Sequence, residues 1–135
     1  MTALAVDTSA IIAVMNDEPD AVEILECALS AESLFISAAT VHECNCVLVG
    51  RRDPGDPGLE ELLAALDFSV IPFDLDQVSL AKAAYQNYGK GSGHSASLNL
   101  GDCFSYALAK SRELPLLYKG GDFARTDVEA ALKAN

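Results

Sequence analysis

Short apolar runs alternate along the chain with longer segments whose apolar positions recur every three to four residues, the pattern of strands alternating with helices. Leu4-Ala5-Val6 reads as a strand stopped by Asp7, after which Thr8 or Ser9 caps an apolar helix from Ala10 to Met15. Pro19 suits the first turn of a second helix ending near Ser30. Asp20 and Glu23 sit at its positive end, and Val22, Leu25, Ala28 and Leu29 follow the helical spacing. Leu34-Phe35-Ile36 is a second buried strand. Ser37 or Thr40 then starts a third helix reaching the region of Arg52, with Val41, Cys44, Leu48 and also Glu43 on it.

The run Asp53-Pro54-Gly55-Asp56-Pro57-Gly58 breaks the pattern as a loop, too short for an interdomain linker. A fourth helix spans Leu59 to Leu66. A third strand spans Ser69 to Phe73, and Pro72 places it near an edge or end of the sheet. Leu75 to Tyr88 is a fifth helix, residues 89–95 a glycine-rich loop, and Leu100 to Arg112 a sixth helix with Gly101 and Asp102 in its first turn. Pro115 to Tyr118 is a fourth strand, and the tail adds a short strand or helix. Strands alternating with helices predict an α/β fold with a parallel sheet and right-handed crossovers. No repeat is visible, and 135 residues suit one domain over 1–135.

Composition narrows the class. Half the chain is hydrophobic, which argues against disorder, yet no apolar run approaches the roughly 18 to 20 residues that span a bilayer. Residues 1–7 lack a basic stretch and reach a charge at once, so no signal peptide is expected and the cytoplasm is the expected compartment. Cys27, Cys44, Cys46 and Cys103 show no disulfide-framework spacing. The lone Cys44-x-Cys46 pair lacks a second thiol pair for zinc, and buried thiols are the plainer reading.

A net charge of −11 argues at first against a nucleic-acid partner, but its distribution is uneven. Every Lys and Arg lies from Arg51 onward, while residues 1–50 hold Asp7, Asp17, Glu18, Asp20, Glu23, Glu26, Glu32 and Glu43. Most of these are solvated surface; the rest suit a docking face for a basic partner or a metal site.

In a parallel sheet, ligands bind outside the carboxyl ends of the strands. Asp7 directly follows the first strand, Asp122 follows the fourth, Glu43 lies one turn into the helix after the second, and Asp102 opens the sixth helix from the same side. Each has a structural alternative: Asp7 as a helix cap, Asp102 as a partner of the helix dipole, Glu43 as an exposed helix acid, Asp122 as a turn residue. Taken together, four converging carboxylates repel one another unless cations neutralise them, and hard oxygen ligands suit Mg²⁺ or Mn²⁺. Two such ions roughly 4 Å apart can clamp a phosphodiester displacement, and they supply the positive potential an acidic protein lacks.

Val6-Asp7-Thr8-Ser9-Ala10, residues 37–43 ending in His42-Glu43, Leu98-Asn99-Leu100-Gly101-Asp102 with residues 103–107, and Leu116 to Phe123 around Gly120-Gly121-Asp122 resemble the PIN-domain family. More narrowly they resemble the VapC toxins of bacterial toxin–antitoxin pairs, and the resemblance runs from the first strand to Asp127. It implies a three-layer sandwich with a mainly parallel sheet of four to five strands flanked by helices. It also implies RNA cleavage with Mg²⁺ or Mn²⁺ by a homodimer restrained by a VapB-type antitoxin. In that pattern Asp7 and Asp102 are the principal metal ligands, Glu43 binds directly or through water, and Asp122 completes the second-metal side. Thr8 or Ser9 matches a hydroxyl that orients a carboxylate or a metal-bound water, and Asp127 is a peripheral acid. A basic antitoxin segment with an Arg entering the acids would compete with metal. The loop at 90–96 carries fewer basic residues than the resemblance leads one to expect.

Lys119 and Arg125, which bracket Asp122, and Lys90, Arg51 and Arg52 are the candidate phosphate contacts. Tyr85, Tyr88 and Phe123 are candidates for base stacking, with packing the plainer role for Tyr85. His42 and His94 are candidate bases that a metal-activated water makes unnecessary; His94 is also a candidate RNA contact. Phosphate-binding glycine motifs are absent. Competing readings are an aspartate-based phosphohydrolase, a phospho-accepting signalling domain and a catalytically silent RNA- or protein-binding fold. The first wants an acid where Ser9 stands, and the second leaves Glu43 and Asp102 without a role.

Overall fold

Strands buried on both faces divide their side chains between two layers, and here the division falls on alternate residues. In the computed structural model, which describes residues 2–50 and 58–132, β1 (Ala3–Val6) sends Leu4 and Val6 to one layer and Ala5 to the other. In β2 (Ser33–Ser37), Leu34 and Ile36 face the first layer and Phe35 the second. In β4 (Leu116–Leu117) the two leucines point to opposite sides. The first layer contains α1 (Thr8–Met15), α2 (Ala21–Ser30), α3 (Ala38–Leu48) and α4 (Leu59–Ala65). The second contains α5 (Leu75–Tyr88) and α6 (Leu100–Arg112). The result is the expected three-layer α/β sandwich.

All strand pairs are parallel, and the sheet order is β3-β2-β1-β4, with β3 (Ser69–Ile71) at one edge, just before Pro72. The chain therefore steps outward from β1 to β2 to β3 and then returns to place β4 on the other side of β1. That reversal opens a crevice beyond the carboxyl ends of β1 and β4, where such sheets bind ligands. Asp7 stands at its floor, its amide donating to the Leu117 carbonyl at 2.9 Å. Beyond β4, a 3₁₀ turn at Phe123–Arg125 precedes a single parallel bridge between Ala130 and Leu116, which extends the sheet past its fourth strand.

Helix starts depart from the sequence reading. α1 begins at Thr8 rather than Ala10 because Asp7, not Thr8 or Ser9, is the cap: its carboxylate accepts the Ser9 amide at 3.0 Å. α2 begins at Ala21, leaving Pro19 in the preceding turn. Its buried stripe is Ala21, Ile24 and Ala28, so Val22 and Leu29, one position round the helix, are exposed. Ser37 caps α3, accepting the Ala39 amide at 3.2 Å. α3 ends at Leu48, with Val49 already non-helical and Val49-Gly50 in a turn, short of the expected end near Arg52; Arg51, Arg52 and the loop at 53–57 lie outside the described residues. α5 and α6 match their expected bounds, and among the described residues no helix is long and apolar enough to cross a membrane.

The layer assignment has a measurable consequence. Ile36 is fully buried at the centre of the sheet, so Ile36→Ala is expected to lower unfolding stability by about 2–5 kcal/mol. Val22→Ala, at a position 66% exposed, is expected to change it by no more than about 0.5 kcal/mol. Urea unfolding of both variants checks this; equal losses would mean the two faces of α2 and the sheet are wrongly placed.

Candidate active site

Two hydroxyls hold the innermost acid. Asp7 is 3% exposed, and its Oδ2 accepts both the Ser9 amide and the Ser9 hydroxyl, the latter at 2.7 Å. Its Oδ1 accepts the hydroxyl of Ser105, a fully buried residue on α6, at 2.5 Å. The Ser105 hydroxyl lies 3.4 Å from that of Thr40 on α3, also fully buried. Ser9 in turn accepts the Lys119 amide at 2.9 Å, tying the segment after β4 to the start of α1. Both carboxylate oxygens of this buried side chain therefore have hydrogen-bond donors.

Glu43, in the second turn of α3, and Asp102, in the first turn of α6, are the next two acids. The Thr8 hydroxyl donates to Glu43 Oε1. The Glu43 carboxyl lies against the backbone of Gly101: a Cβ at that position would fall 1.8 Å from Oε2 and 2.3 Å from Cδ. Glycine at 101 is thus what lets α3 and α6 bring their acids together. Asp102 closes a capping box: its Oδ2 accepts the Asn99 amide at 3.0 Å while Asn99 Oδ1 accepts the Asp102 amide at 2.9 Å. The helix-capping role considered for Asp102 is therefore real, and it fixes the direction in which the carboxyl points.

Electrostatics shows how near the four acids lie. Asp102 is pushed up to about 6, first by burial and then by the charges of Asp7, Asp122 and Glu43, against a lowering from the Asn99 amide. Glu43 is raised by burial first, lowered by its bond from Thr8, and raised again by Asp7. Asp122, exposed at the start of the 3₁₀ turn, caps nothing with its side chain and contributes its charge to the cluster. Charge interaction reaches further than coordination. Among the described residues no group of three or more acids, histidines or cysteines is drawn close enough to hold an ion as it stands. Each of Asp7, Glu43 and Asp102 is instead held in place by donors of the protein itself.

The other candidates divide. Lys119 is paired with Glu18 and with Asp20, the latter at 3.3 Å, so its ammonium is directed at the α1–α2 connection and not freely offered to a phosphate. Arg125 is exposed, with one guanidinium nitrogen donating to the Ser95 carbonyl at 3.0 Å, and Lys90 is exposed in the loop that Arg125 tethers. Arg51 and Arg52 lie outside the described residues. Phe123 is 2% exposed and packs on Tyr118, which removes it from base stacking; Tyr85 is exposed rather than packed. Tyr88 packs edge-on against His94, whose Nδ1 accepts the Ala96 amide at 3.0 Å. Asp127 binds Tyr106 and Lys110, a structural triad. Cys44 is buried with its thiol pushed up to about 12, first by burial, while Cys46 is exposed on another face of α3, contrary to a buried reading for both.

Sequence reasoning passed over Ser105, Thr40 and the specific need for Gly101. A signal existed for the first two: Ser105 follows Asp102 by three residues and Thr40 precedes Glu43 by three, so each shares a helix face with an acid.

The PIN domain family model matches residues 4–129. The chain is similar to Ribonuclease VapC28 of Mycobacterium tuberculosis, 48% identical over 130 residues, covering 96% of this chain and 98% of that protein. It is also similar to Ribonuclease VapC of Mycolicibacterium smegmatis, 44% identical over 129 residues, 94% of this chain and 98% of that one. Among solved structures it resembles VapBC2 from Rickettsia felis bound to a DNA fragment from their promoter, with a TM-score of 0.70 at 14% identity and 96% coverage of both chains. With an all-parallel sheet in the order β3-β2-β1-β4 and a family model that spans nearly its whole length, the chain belongs to the PIN-domain family.

Proposed function

We propose that this protein is a VapC-type endoribonuclease, the toxin of a toxin–antitoxin pair, that hydrolyses RNA phosphodiester bonds with Mg²⁺ or Mn²⁺ at Asp7, Glu43, Asp102 and Asp122. The observation that carries the reading is the electrostatic contact of Asp102 with three acids that are distant from it in sequence. Kinship at 48% identity with Ribonuclease VapC28 supports RNA as the substrate.

The residues suit a hard divalent cation. The donor set is all oxygen, Asp102 is raised first by burial and then by the charges of Asp7, Asp122 and Glu43, and the Gly101 backbone leaves Glu43 room at the crevice. Asp7 and Asp102 would be the principal ligands, with Glu43 and Asp122 on either side. A bound cation supplies Lewis acidity for a water nucleophile and neutralises the charge of the phosphodiester. The protein's own part is positioning. Ser9 and Ser105 fix the two oxygens of Asp7, Thr8 fixes Glu43, and the capping box fixes Asp102. His42 and His94 are left without a required proton-transfer role.

The acidic first third, which has no Lys or Arg, suits a VapB-type antitoxin with a basic segment that competes for the same carboxylates. The exposed Val22 and Leu29 of α2 and Leu75, Val78 and Tyr85 of α5 offer apolar surface for that partner and for a homodimer. The four free thiols accord with a reducing, cytoplasmic setting.

Purified protein incubated with total RNA is expected to produce new ends only with Mg²⁺ or Mn²⁺ present. Asp7→Asn and Asp102→Asn are each expected to fall to background while keeping a parental circular-dichroism spectrum. Parental cleavage by both variants would sink the site assignment. Ser105→Ala, which loses the donor to Asp7, is expected to lower activity or metal affinity by roughly 10–100-fold. Gly101→Ala drives a Cβ into Glu43 and is expected to weaken cleavage although alanine is the better helix former; unchanged kinetics would mean Glu43 has no part.

Acidity offers a further check without RNA. Between the ordinary aspartate value of 3.8 and about 6, the folded metal-free protein holds the Asp102 proton that the unfolded chain has lost. Its contribution to stability therefore declines as pH rises through that window and is constant above it. Thermal unfolding is expected to gain most from added Mg²⁺ above pH 6 and little at pH 4.5. In Asp102→Asn, both the Mg²⁺ gain and this component of the pH dependence are expected to shrink. An Mg²⁺ increment that is the same at pH 4.5 and 7.5 would contradict it.

A further inference from the structure

The crevice continues sideways into a second pocket. Between α3 and the start of α6, about 350 Å³ of space is bounded by His42, Glu43, Asn99, Leu100, Gly101 and Phe104, among others. Glu43 and Gly101 belong both to this pocket and to the acidic cluster, so the two share a wall. Leu100 is 72% exposed although it stands in the first turn of a helix whose Gly101 and Cys103 are buried, and its side chain has no task in the core. Phe104 is half-buried and held by an edge-on contact with Phe73, ring centroids 5.0 Å apart.

We propose that this pocket receives one unstacked nucleobase of the RNA, that of a nucleotide beside the scissile phosphate, and so sets the base preference of cleavage. The proposal rests on the ribonuclease reading above and adds a subsite to it.

Four features select a base over other occupants. The lining holds no Lys or Arg, and its one formal charge is the Glu43 carboxylate, so a phosphate is disfavoured while a neutral ring is not. The walls are largely apolar and present two flat groups, Phe104 and the exposed imidazole of His42; planar side chains of this kind are what unstacked bases pack against. Asn99 uses its Oδ1 to cap α6, which leaves its amide nitrogen as a donor at the rim for a ring nitrogen or carbonyl of the base. Finally, a strand of RNA whose phosphate lies at the carboxylates must carry its neighbouring nucleosides past one of the adjoining walls, and this wall shares Glu43 with the crevice and is otherwise uncharged.

The test uses the full chain with Mn²⁺ or Mg²⁺. Cleavage sites in total RNA are mapped, and oligoribonucleotides around a preferred site are made with a single abasic nucleotide at each of the two positions on either side of the cut. One abasic position is expected to lower kcat/KM of the parent by roughly tenfold, the scale of losing one base–aromatic stack. His42→Ala and Leu100→Ser change exposed residues, and Phe104→Leu keeps apolar volume while removing the flat face. Each is expected to cut the intact substrate more slowly, to broaden the bases accepted at that position, and to show a much smaller penalty for the same abasic substitution.

Variants that keep both the parental base preference and the full abasic penalty would overturn the subsite while leaving the ribonuclease reading intact. A parent that cuts no RNA with either metal would overturn both. Sedimentation separates the remaining occupant: if the three variants shift the mass of the protein toward monomer with the abasic penalty unchanged, the pocket is a contact between copies of this chain and the base subsite is refuted.

Discussion

Carboxylates repel, and the ends of β1 and β4 are where this chain collects them. Asp7 is buried there with every oxygen engaged by a hydroxyl or an amide, and Glu43, Asp102 and Asp122 approach it from three other elements. Much of the local architecture is what such crowding requires. Ser9, Ser105 and Thr8 offset the desolvation of the charged groups, Gly101 omits the side chain that would push Glu43 away, and the Asn99–Asp102 box anchors the acid whose proton is held most tightly. The arrangement is stable as a protein yet leaves excess negative charge at the mouth of the crevice. That excess is the physical basis for affinity toward a divalent cation, since a cation gains from the field that the folded chain must otherwise tolerate.

Most of the fold was legible because strands and helices here bury their apolar residues with little interference from function. α5 and α6 have the bounds their periodicity implies, and β1, β2 and β4 follow from apolar runs between polar boundaries. The departures occur where one residue serves two ends. Asp7 reads from sequence as the residue that stops a strand, with the cap assigned to Thr8 or Ser9 and a capping role for Asp7 set against its place in the site as an alternative. In fact the same carboxylate caps α1 and faces the crevice, while Thr8 is freed to reach Glu43. On α2 the apolar pattern was wider than the stripe that the sheet covers, so periodicity alone assigned Val22 and Leu29 to a face that packing does not use. Phe123 went the other way: it looked available next to Asp122, but Tyr118 and the second layer enclose it.

The acids of the site were visible as strand-end and helix-start residues, whereas their supporting hydroxyls were not. A buried serine among apolar neighbours carries no pattern of its own, and only the three-residue offsets from Asp102 and Glu43 mark Ser105 and Thr40 as facing the same way. Lys119 illustrates the converse. Its position beside Asp122 suggested a phosphate contact, but Glu18 and Asp20 draw its ammonium toward the α1–α2 connection, and its backbone amide supports Ser9. A cation that closes the structure around an acidic loop has less charge to offer a polyanion. On the proposed function, the positive potential for RNA would fall chiefly to a bound metal ion and to exposed Arg125 and Lys90, which would let a chain with net charge −11 handle a polyanion.

The first turn and a half of α6 shows how one short segment keeps these demands apart. At 3.6 residues per turn, successive side chains point about 100° from one another, so neighbours in sequence address different partners. Asn99 caps the helix, Leu100 walls the side pocket, Gly101 admits Glu43, and Asp102 contributes charge to the crevice. Cys103 enters the core, Phe104 returns to the side pocket, and Ser105 returns to Asp7. Residues 102 and 105 share the face that handles charge; residues 100 and 104 share the face that is apolar. Because both faces are carried by one rigid capped turn, a shift of α6 moves the carboxylate and the apolar wall together. A group bound against Leu100 and Phe104 would therefore be held at a fixed displacement from Asp102. That coupling is what a nuclease needs if the base it recognises is to determine which phosphate it cuts.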